Sequence, residues 1–160
     1  MIYRELGRTG LEVSVLSYGA SGLGNILGTP DEGRGIRTVH TAIDLGINLV
    51  DTSPMYGETR SESLLGKALR QIPRDSYYLA TKVGRHAGGV SDFSAERIMQ
   101  SVDESLGRLE LDYVDILQCH DIDFVPLDQI VEESLPALRR LQEQGKTRFV
   151  GITGFPLKVY

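Results

Sequence analysis

The sequence has few of the features that mark secreted, membrane-spanning or nucleic-acid-binding proteins. Its single cysteine, Cys119, cannot form an intramolecular disulfide, which favours a reducing cytoplasm. No apolar run approaches the roughly 18 residues of a bilayer-spanning helix, and no apolar secretory segment follows Met1. The formal net charge is −5 and no segment is rich in lysine or arginine. We therefore expect a cytoplasmic protein with neither a membrane nor a nucleic acid as its partner.

Strand-like and helix-like segments alternate along the chain after a short hairpin predicted at 3–14, which turns around Gly7 and Gly10. Buried strands are predicted at 13–18, 47–50, 77–83, 114–119 and 149–153. Amphipathic helices are predicted at 36–45, 61–71, 94–108 and 127–144, with Ser61 and Ser94 as N-caps of the second and third. This alternation is typical of an α/β protein with a parallel sheet and right-handed crossovers.

The spacing of the predicted strands favours a (β/α)8 barrel of the TIM type over an open sheet. The strands recur about every 30 to 37 residues. A closed barrel needs eight such units and roughly 250 residues, whereas these 160 residues have room for about five. We therefore expect a single domain, residues 1–160, that is truncated relative to a barrel. Its open edges could pair with another copy to form an oligomer.

Ionisable side chains stand at the ends of three predicted strands: Asp51, Lys82 and His120. Each alone is more often structural, as a loop cap, a lysine that extends to the surface or a hydrogen-bonded core histidine. A parallel sheet, however, places all three strand ends on one rim. Tyr56 follows Asp51 by five residues, on a loop that can fold back over this rim. The set together predicts a functional site.

The chemistry of these four side chains predicts a proton relay aimed at a carbonyl or hydroxyl group. An isolated tyrosine has a pKa of about 10, and a neighbouring ammonium group favours its deprotonated form. Asp51 would keep Lys82 charged and oriented, and His120 could donate a hydrogen bond to a substrate oxygen. The set contains no nucleophile and no metal-ligand cluster. A hydride carrier would have to come from a cofactor.

Four motifs of the chain resemble the aldo-keto reductase family. They are D-T-S-P-M-Y-G at 51–57, A-T-K at 80–82, S-L-G-R-L-E-L-D-Y-V-D-I at 105–116 and G-K-T-R-F-V-G-I-T-G at 145–154. The resemblance implies a (β/α)8 barrel that uses NAD(P)H. It also implies a catalytic tetrad formed by Asp51, Tyr56, Lys82 and His120, in which Tyr56 is the proton donor or acceptor.

Two further segments, F-S-A-E-R-I at 93–98 and L-Q-C-H-D-I-D at 117–123, resemble the branch that contains the L-galactose and D-threo-aldose (L-fucose) dehydrogenases. That likeness implies oxidation of an aldose such as L-galactose or L-fucose at C1 to the lactone. It implies NAD or NADP as cofactor, with NAD favoured. The alternative is a truncated or non-catalytic relative of the regulatory-subunit type.

The candidate cofactor contacts are Gly22, Asp51 and Thr153, and no metal is expected. Gly22 belongs to a glycine-rich stretch, 19–24, that would let a ligand approach the backbone. Its order, G-x-x-G-x-G, is not the dinucleotide fingerprint, and on this stretch alone a flexible loop is at least as good an interpretation. Many relatives carry Ser-Asn where this chain has Thr153 and Gly154. One amide contact to the nicotinamide would then be lost, while Thr153 could still serve.

Overall fold

The computed structural model describes residues 1–25 and 31–155. A two-stranded antiparallel hairpin opens the chain, with β1 at Tyr3–Glu5 and β2 at Glu12–Ser14. Its turn contains Gly7 and Gly10, both with positive φ, a conformation that glycine adopts without steric cost. The predicted hairpin is thus confirmed.

Five parallel strands form the main sheet, and their spatial order β3-β4-β5-β6-β7 is their order in the chain. The strands are β3 at Tyr18–Gly19, β4 at Leu49–Asp51, β5 at Tyr78–Val83, β6 at Val114–Cys119 and β7 at Thr147–Ile152. Each strand pairs in parallel with the next. This uninterrupted order is that of the (β/α) barrel, as predicted, and the part described contains five strands and the four helical connections between them.

The helices connect successive strands and pack against one another in chain order. They are α1 at Glu32–Asp44, α2 at Arg60–Leu69, α3 at Ala95–Leu109, α4 at Leu127–Gln129 and α5 at Leu135–Glu143. Short 3-10 turns lie at Ala20–Gly24, Arg74–Ser76, Ala87–Gly89 and Ile122–Phe124. Within the described residues, no helix has both the length and the apolar character to cross a membrane.

The core lies between the sheet and these helices. Leu65 of α2, Leu79 of β5 and Leu117 of β6 are fully buried there. Cys119, at the end of β6, has no solvent-exposed surface, and burial raises the pKa of its thiol to about 12. Most residues of β5 and β6 are buried, which makes these two strands the most enclosed part of the sheet.

The expectation of one core strand over 13–18 is wrong. Ser14 ends β2, and its Oγ donates a hydrogen bond to the carbonyl of Leu16 at 2.6 Å. The chain bends there, and Val15 and Leu16 remain 50% and 62% exposed. Pairing with β4 begins only at Tyr18, so the first strand of the main sheet has two residues.

Ser94 caps α3 as predicted, but Ser61 does not cap α2. The Ser94 Oγ accepts a hydrogen bond from the backbone N–H of Arg97. In α2 the N-cap position falls on Thr59, whose side chain makes no capping bond. The Ser61 hydroxyl lies inside the helix and donates to the carbonyl of Ala20 at 2.7 Å. The Ser61 hydroxyl, which the sequence predicted to cap α2, therefore makes a buried hydrogen bond to another element instead.

The helix predicted over 127–144 is interrupted by a π-helical segment, Ile130–Ser134. Pro136 follows in the first turn of α5 and has no backbone N–H to continue the α-helical ladder. The wider π turn places the Ser134 hydroxyl against the carbonyl of Phe93, to which it donates at 2.7 Å. The segment thus remains helical but changes its hydrogen-bonding pattern before the proline.

Candidate active site

The carboxyl ends of β4 and β5 bring Asp51 and Lys82 into direct contact. Asp51 is the last residue of β4, and the parallel register pairs it with Ala80, two residues before Lys82. The Lys82 Nζ donates to Asp51 Oδ1 at 2.7 Å and to the carbonyl of Thr52 at 2.8 Å. Lys82 is 5% exposed, so this carboxylate supplies the counter-charge that a buried ammonium requires.

Tyr56 lies between Lys82 and His120. The Lys82 Nζ is 5.0 Å from the centroid of the Tyr56 ring. The rings of Tyr56 and His120 meet edge to face, with centroids 5.7 Å apart and an interplanar angle of 84°. Tyr56 is half-buried, so its ring is held by both neighbours while part of its surface faces solvent. The structure therefore brings all four predicted catalytic side chains together.

His120 follows β6 directly and is 4% exposed. Its Nδ1 lies 3.1 Å from the hydroxyl of Ser53, and its Nε2 lies 3.7 Å from a carboxylate oxygen of Asp121. The pKa of His120 is lowered to about 4, chiefly by burial; Asp121 raises it, and the nearby charges of Lys82 and Arg85 lower it. The imidazole is therefore neutral at neutral pH.

Two buried contacts of α2 fix the strands on which Asp51 and Lys82 lie. Ser61 contacts the Thr52 hydroxyl at 2.9 Å, next to Asp51. Glu62 has no exposed surface and accepts hydrogen bonds from Thr81 at 2.6 Å and from Arg108 of α3 at 2.8 Å. Because Thr81 precedes Lys82 in β5, the first turn of α2 holds both strands at the positions that carry the Lys82–Asp51 pair.

A second ion pair, between Arg85 and Asp121, lies beside His120. The Arg85 guanidinium also stacks over the ring of Phe124, 4.2 Å from its centroid. Asp121 has a φ of 53°, and its backbone N–H donates to the hydroxyl of Thr153 at 2.9 Å. The ends of β5, β6 and β7 are thereby joined around the histidine.

The candidate cofactor contacts fit the ribose and carboxamide of a nicotinamide only in part. Lys82 occupies Oδ1 of Asp51, whose side chain is 33% exposed, so the other oxygen is left to accept from a ribose hydroxyl. A Cβ at Gly22 would meet no protein atom within 4 Å. The Thr153 hydroxyl already donates to and accepts from Asp121. It therefore retains one lone pair for an amide N–H, and all three contacts stay predictions.

Three residues of this rim were missed in the sequence: Ser53, Arg85 and Asp121. Ser53 belongs to the D-T-S motif, and Asp121 is the residue after His120. An acid next to a strand-end histidine was a usable signal for Asp121. Nothing local points to Ser53, which contacts a histidine 67 positions away. No cluster of three or more metal-ligating side chains occurs in residues 1–25 and 31–155.

Comparison with known proteins identifies the family of the chain. The model of the aldo/keto reductase family matches residues 15–160. The chain belongs to the aldo/keto reductase family. It is 57% identical to L-galactose dehydrogenase of Arabidopsis thaliana over 159 residues, which cover 98% of this chain and 50% of that protein. It is 31% identical to D-threo-aldose 1-dehydrogenase of a Pseudomonas species, over 89% of this chain and 50% of that protein.

A solved structure gives the same fold. The aldo-keto reductase of Bacillus halodurans, in its holo form, superposes with a TM-score of 0.86 and 35% sequence identity, over 99% of this chain and 52% of that one. The chain thus spans about half the length of the relatives it matches. The predicted family and its sugar-dehydrogenase relatives are confirmed.

Proposed function

We propose that this chain carries the proton-transfer site of a nicotinamide-dependent oxidoreductase that oxidises an aldose at C1 to its lactone. L-galactose is the first substrate to test, because a relative at 57% identity bears the name L-galactose dehydrogenase. L-fucose is the second, since the chain is also similar to a D-threo-aldose 1-dehydrogenase. The observation that carries the proposal is the placement of Tyr56 between the buried Lys82 and the neutral His120.

Each of the four side chains has one task in this proposal. Tyr56 accepts the proton of the C1 hydroxyl, and the Lys82 ammonium stabilises the phenolate that receives it. Asp51 holds Lys82 in place through the 2.7 Å contact. His120 donates a hydrogen bond to the same substrate oxygen and so orients it.

A bound nicotinamide cofactor would supply the hydride acceptor for this reaction. Asp51 would hold the ribose and Thr153 would accept from the carboxamide, with the backbone at Gly22 leaving room beside them. NAD is favoured over NADP on the likeness to sugar dehydrogenases. The substrate is a small molecule, and oligomerisation would occur through the outer strands β3 and β7.

The substitution Tyr56→Phe tests the proposal. We expect a loss of about 10²–10⁴ in kcat, the usual contribution of a positioned acid or base, with NAD(H) affinity nearly unchanged. The measurements are steady-state kinetics with L-galactose and L-fucose and a fluorescence titration with each cofactor.

Tyr113→Phe is the matched control, because Tyr113 precedes β6 at the opposite end of the strands and packs on Arg74. We expect it to keep its turnover. Turnover by Tyr56→Phe within a few-fold of the unsubstituted protein would remove Tyr56 from the reaction. The absence of turnover by the unsubstituted protein on any aldose would instead favour the alternative of a truncated or non-catalytic relative.

A further inference from the structure

Ser53 has a hydroxyl proton with one available acceptor. Ser53 is fully buried, and its Oγ accepts a hydrogen bond from the backbone N–H of Met55 at 3.1 Å. Its other hydrogen-bond partner, among the described residues, is Nδ1 of His120 at 3.1 Å. A buried hydroxyl that leaves its proton without an acceptor is costly. Ser53 therefore donates to Nδ1, which must be the unprotonated nitrogen of the ring.

The surroundings of the second ring nitrogen agree with this assignment. Nε2 lies 3.7 Å from Asp121 Oδ2, and a carboxylate favours a proton on the nitrogen that it faces. Among the described residues, the cations of Lys82 and Arg85 also act on the ring and disfavour a second proton, and Tyr56 makes an aromatic edge contact with it. Burial also opposes the imidazolium form. The ring therefore carries one proton, on Nε2.

We propose that Ser53 is a positioning residue that fixes His120 in the Nε2–H tautomer and so aims a hydrogen-bond donor at the substrate oxygen. The donor role rests on the proposed function, in which His120 orients the C1 oxygen. The tautomer itself does not, because it follows from the partners of the two ring nitrogens. A third group that holds a histidine in its productive tautomer is a general feature of proton-transfer sites.

The first test is nitrogen NMR of the protein with labelled histidine. The chain has three histidines, so His40→Gln and His86→Gln variants assign the His120 resonances. At pH 7 we expect the unsubstituted protein to show the Nε2–H pattern alone, with Nδ1 in the hydrogen-bonded acceptor range. A dominant Nδ1–H pattern would overturn the proposal without any reference to activity.

The second test removes the hydroxyl. In Ser53→Ala we expect the Nδ1 resonance to shift, because its donor is gone, and the Nδ1–H pattern to become detectable. Ser53→Thr keeps a hydroxyl and should restore the original pattern. Ser61→Ala is the matched control: it removes an equally buried hydroxyl that bonds to Thr52 and Ala20 and does not touch the histidine. An unchanged Nδ1 resonance in Ser53→Ala contradicts the assignment.

Kinetics separate this inference from the proposed function. If both hold, Ser53→Ala lowers kcat about tenfold, as expected for one weakened hydrogen bond, with a smaller effect on KM, and Ser53→Thr recovers part of the loss. If the NMR results hold but kcat is unchanged, Ser53 sets the tautomer and the assigned role of His120 in substrate orientation is wrong. If kcat falls while the tautomer stays unchanged in both variants, the positioning role of Ser53 is wrong.

Discussion

Candidate residues at the ends of the inner strands β5 and β6 are more deeply buried than those that follow the outer strands β3 and β7. Lys82 of β5 and His120 after β6 are at most 5% exposed and are held by partners from other elements. Gly22 after β3 and Thr153 after β7 are only partly buried. Among the described residues, β3 pairs with β4 alone and β7 with β6 alone. The chain itself thus orders the predicted proton-transfer groups, whereas two of the three predicted cofactor contacts, Gly22 and Thr153, follow strands with one neighbour each.

This difference in burial predicts a difference in how much each region contributes to the free energy of unfolding. Side chains at the centre are fixed by buried charges and hydroxyls, whose loss is costly because water cannot replace the missing partner. At the outer strands, solvent can substitute for a lost contact. Substitutions in the centre should therefore change the free energy of unfolding by more than equivalent substitutions at the edges.

The largest effect is expected for Glu62→Ala. It leaves Arg108 without its buried carboxylate and frees the hydroxyls of Thr81 and Ser105. Loss of one partner of a buried ion pair typically costs about 3–5 kcal/mol in the free energy of unfolding. Urea unfolding measures the change. Lys67→Ala, which breaks an exposed pair on the same helix, is the control and should cost less than about 1 kcal/mol. Equal losses of unfolding free energy in the two variants would contradict the expectation that buried contacts contribute more than exposed ones.

The next largest effect on the free energy of unfolding is expected from acidification, through the protonation of His120. Its pKa in the folded protein is lowered to about 4 from an ordinary 6.5, so the unfolded state binds the proton more readily. The stabilisation is complete above about pH 6.5 and is lost as the pH falls towards 4, by up to about 3 kcal/mol. Thermal unfolding between pH 7 and pH 4 tests this. His120→Asn should flatten the curve in that window; an unchanged slope would mean that other groups cause it.

Gly57→Ala should disturb the link between the centre and the β3 edge. Gly57 has a φ of 60°, and a Cβ there would lie 2.0 Å from the carbonyl oxygen of Gly24. We expect a loss of about 1–3 kcal/mol from overpacking, beyond the cost of the positive φ. Gly7→Ala is a close control, since Gly7 has a φ of 58° and no atom within 4 Å of the added Cβ. Similar chemical-unfolding midpoints for the two variants would show that this close approach is not constraining.

The smallest effect is expected at the β7 edge, from Thr153→Val. The backbone N–H of Asp121 loses its acceptor, which costs about 1 kcal/mol. Thr147→Val, at the other end of β7, removes the hydrogen bond that the Thr147 hydroxyl donates to the carbonyl of Phe149 and provides the control. If Thr153 is a cofactor contact, only its variant should also weaken NAD(H) binding in a titration. Equal affinities would assign Thr153 a structural role alone.

The sequence predicted what depends on local patterns. The strand ends at Asp51, Lys82 and His120 were correct because apolar runs and breakers mark them directly. The cap at Ser94 was correct for the same reason, since capping involves residues three positions apart. The barrel type followed from the recurrence of the strands.

The sequence did not predict contacts between distant elements. Serine commonly caps helices, but the Ser61 hydroxyl instead donates to the carbonyl of Ala20, which lies far from it in the sequence. The two-residue length of β3 depends on a bend at Ser14 that its own hydroxyl stabilises. The pairing of Ser53 with His120 joins two strand ends that sequence patterns treat separately.

Because Cys119 is fully buried, the reactivity of its thiol reports local opening of the fold around the end of β6. A thiol with no exposed surface and a pKa of about 12 presents almost no thiolate to an alkylating reagent while the fold is intact. Reaction therefore requires that the end of β6 separate from its neighbours, the same event that would release His120. Because the chain has one cysteine, the labelling rate follows this single opening without any engineered probe. With reagent in excess, that rate approaches the rate constant for opening at this end of the sheet.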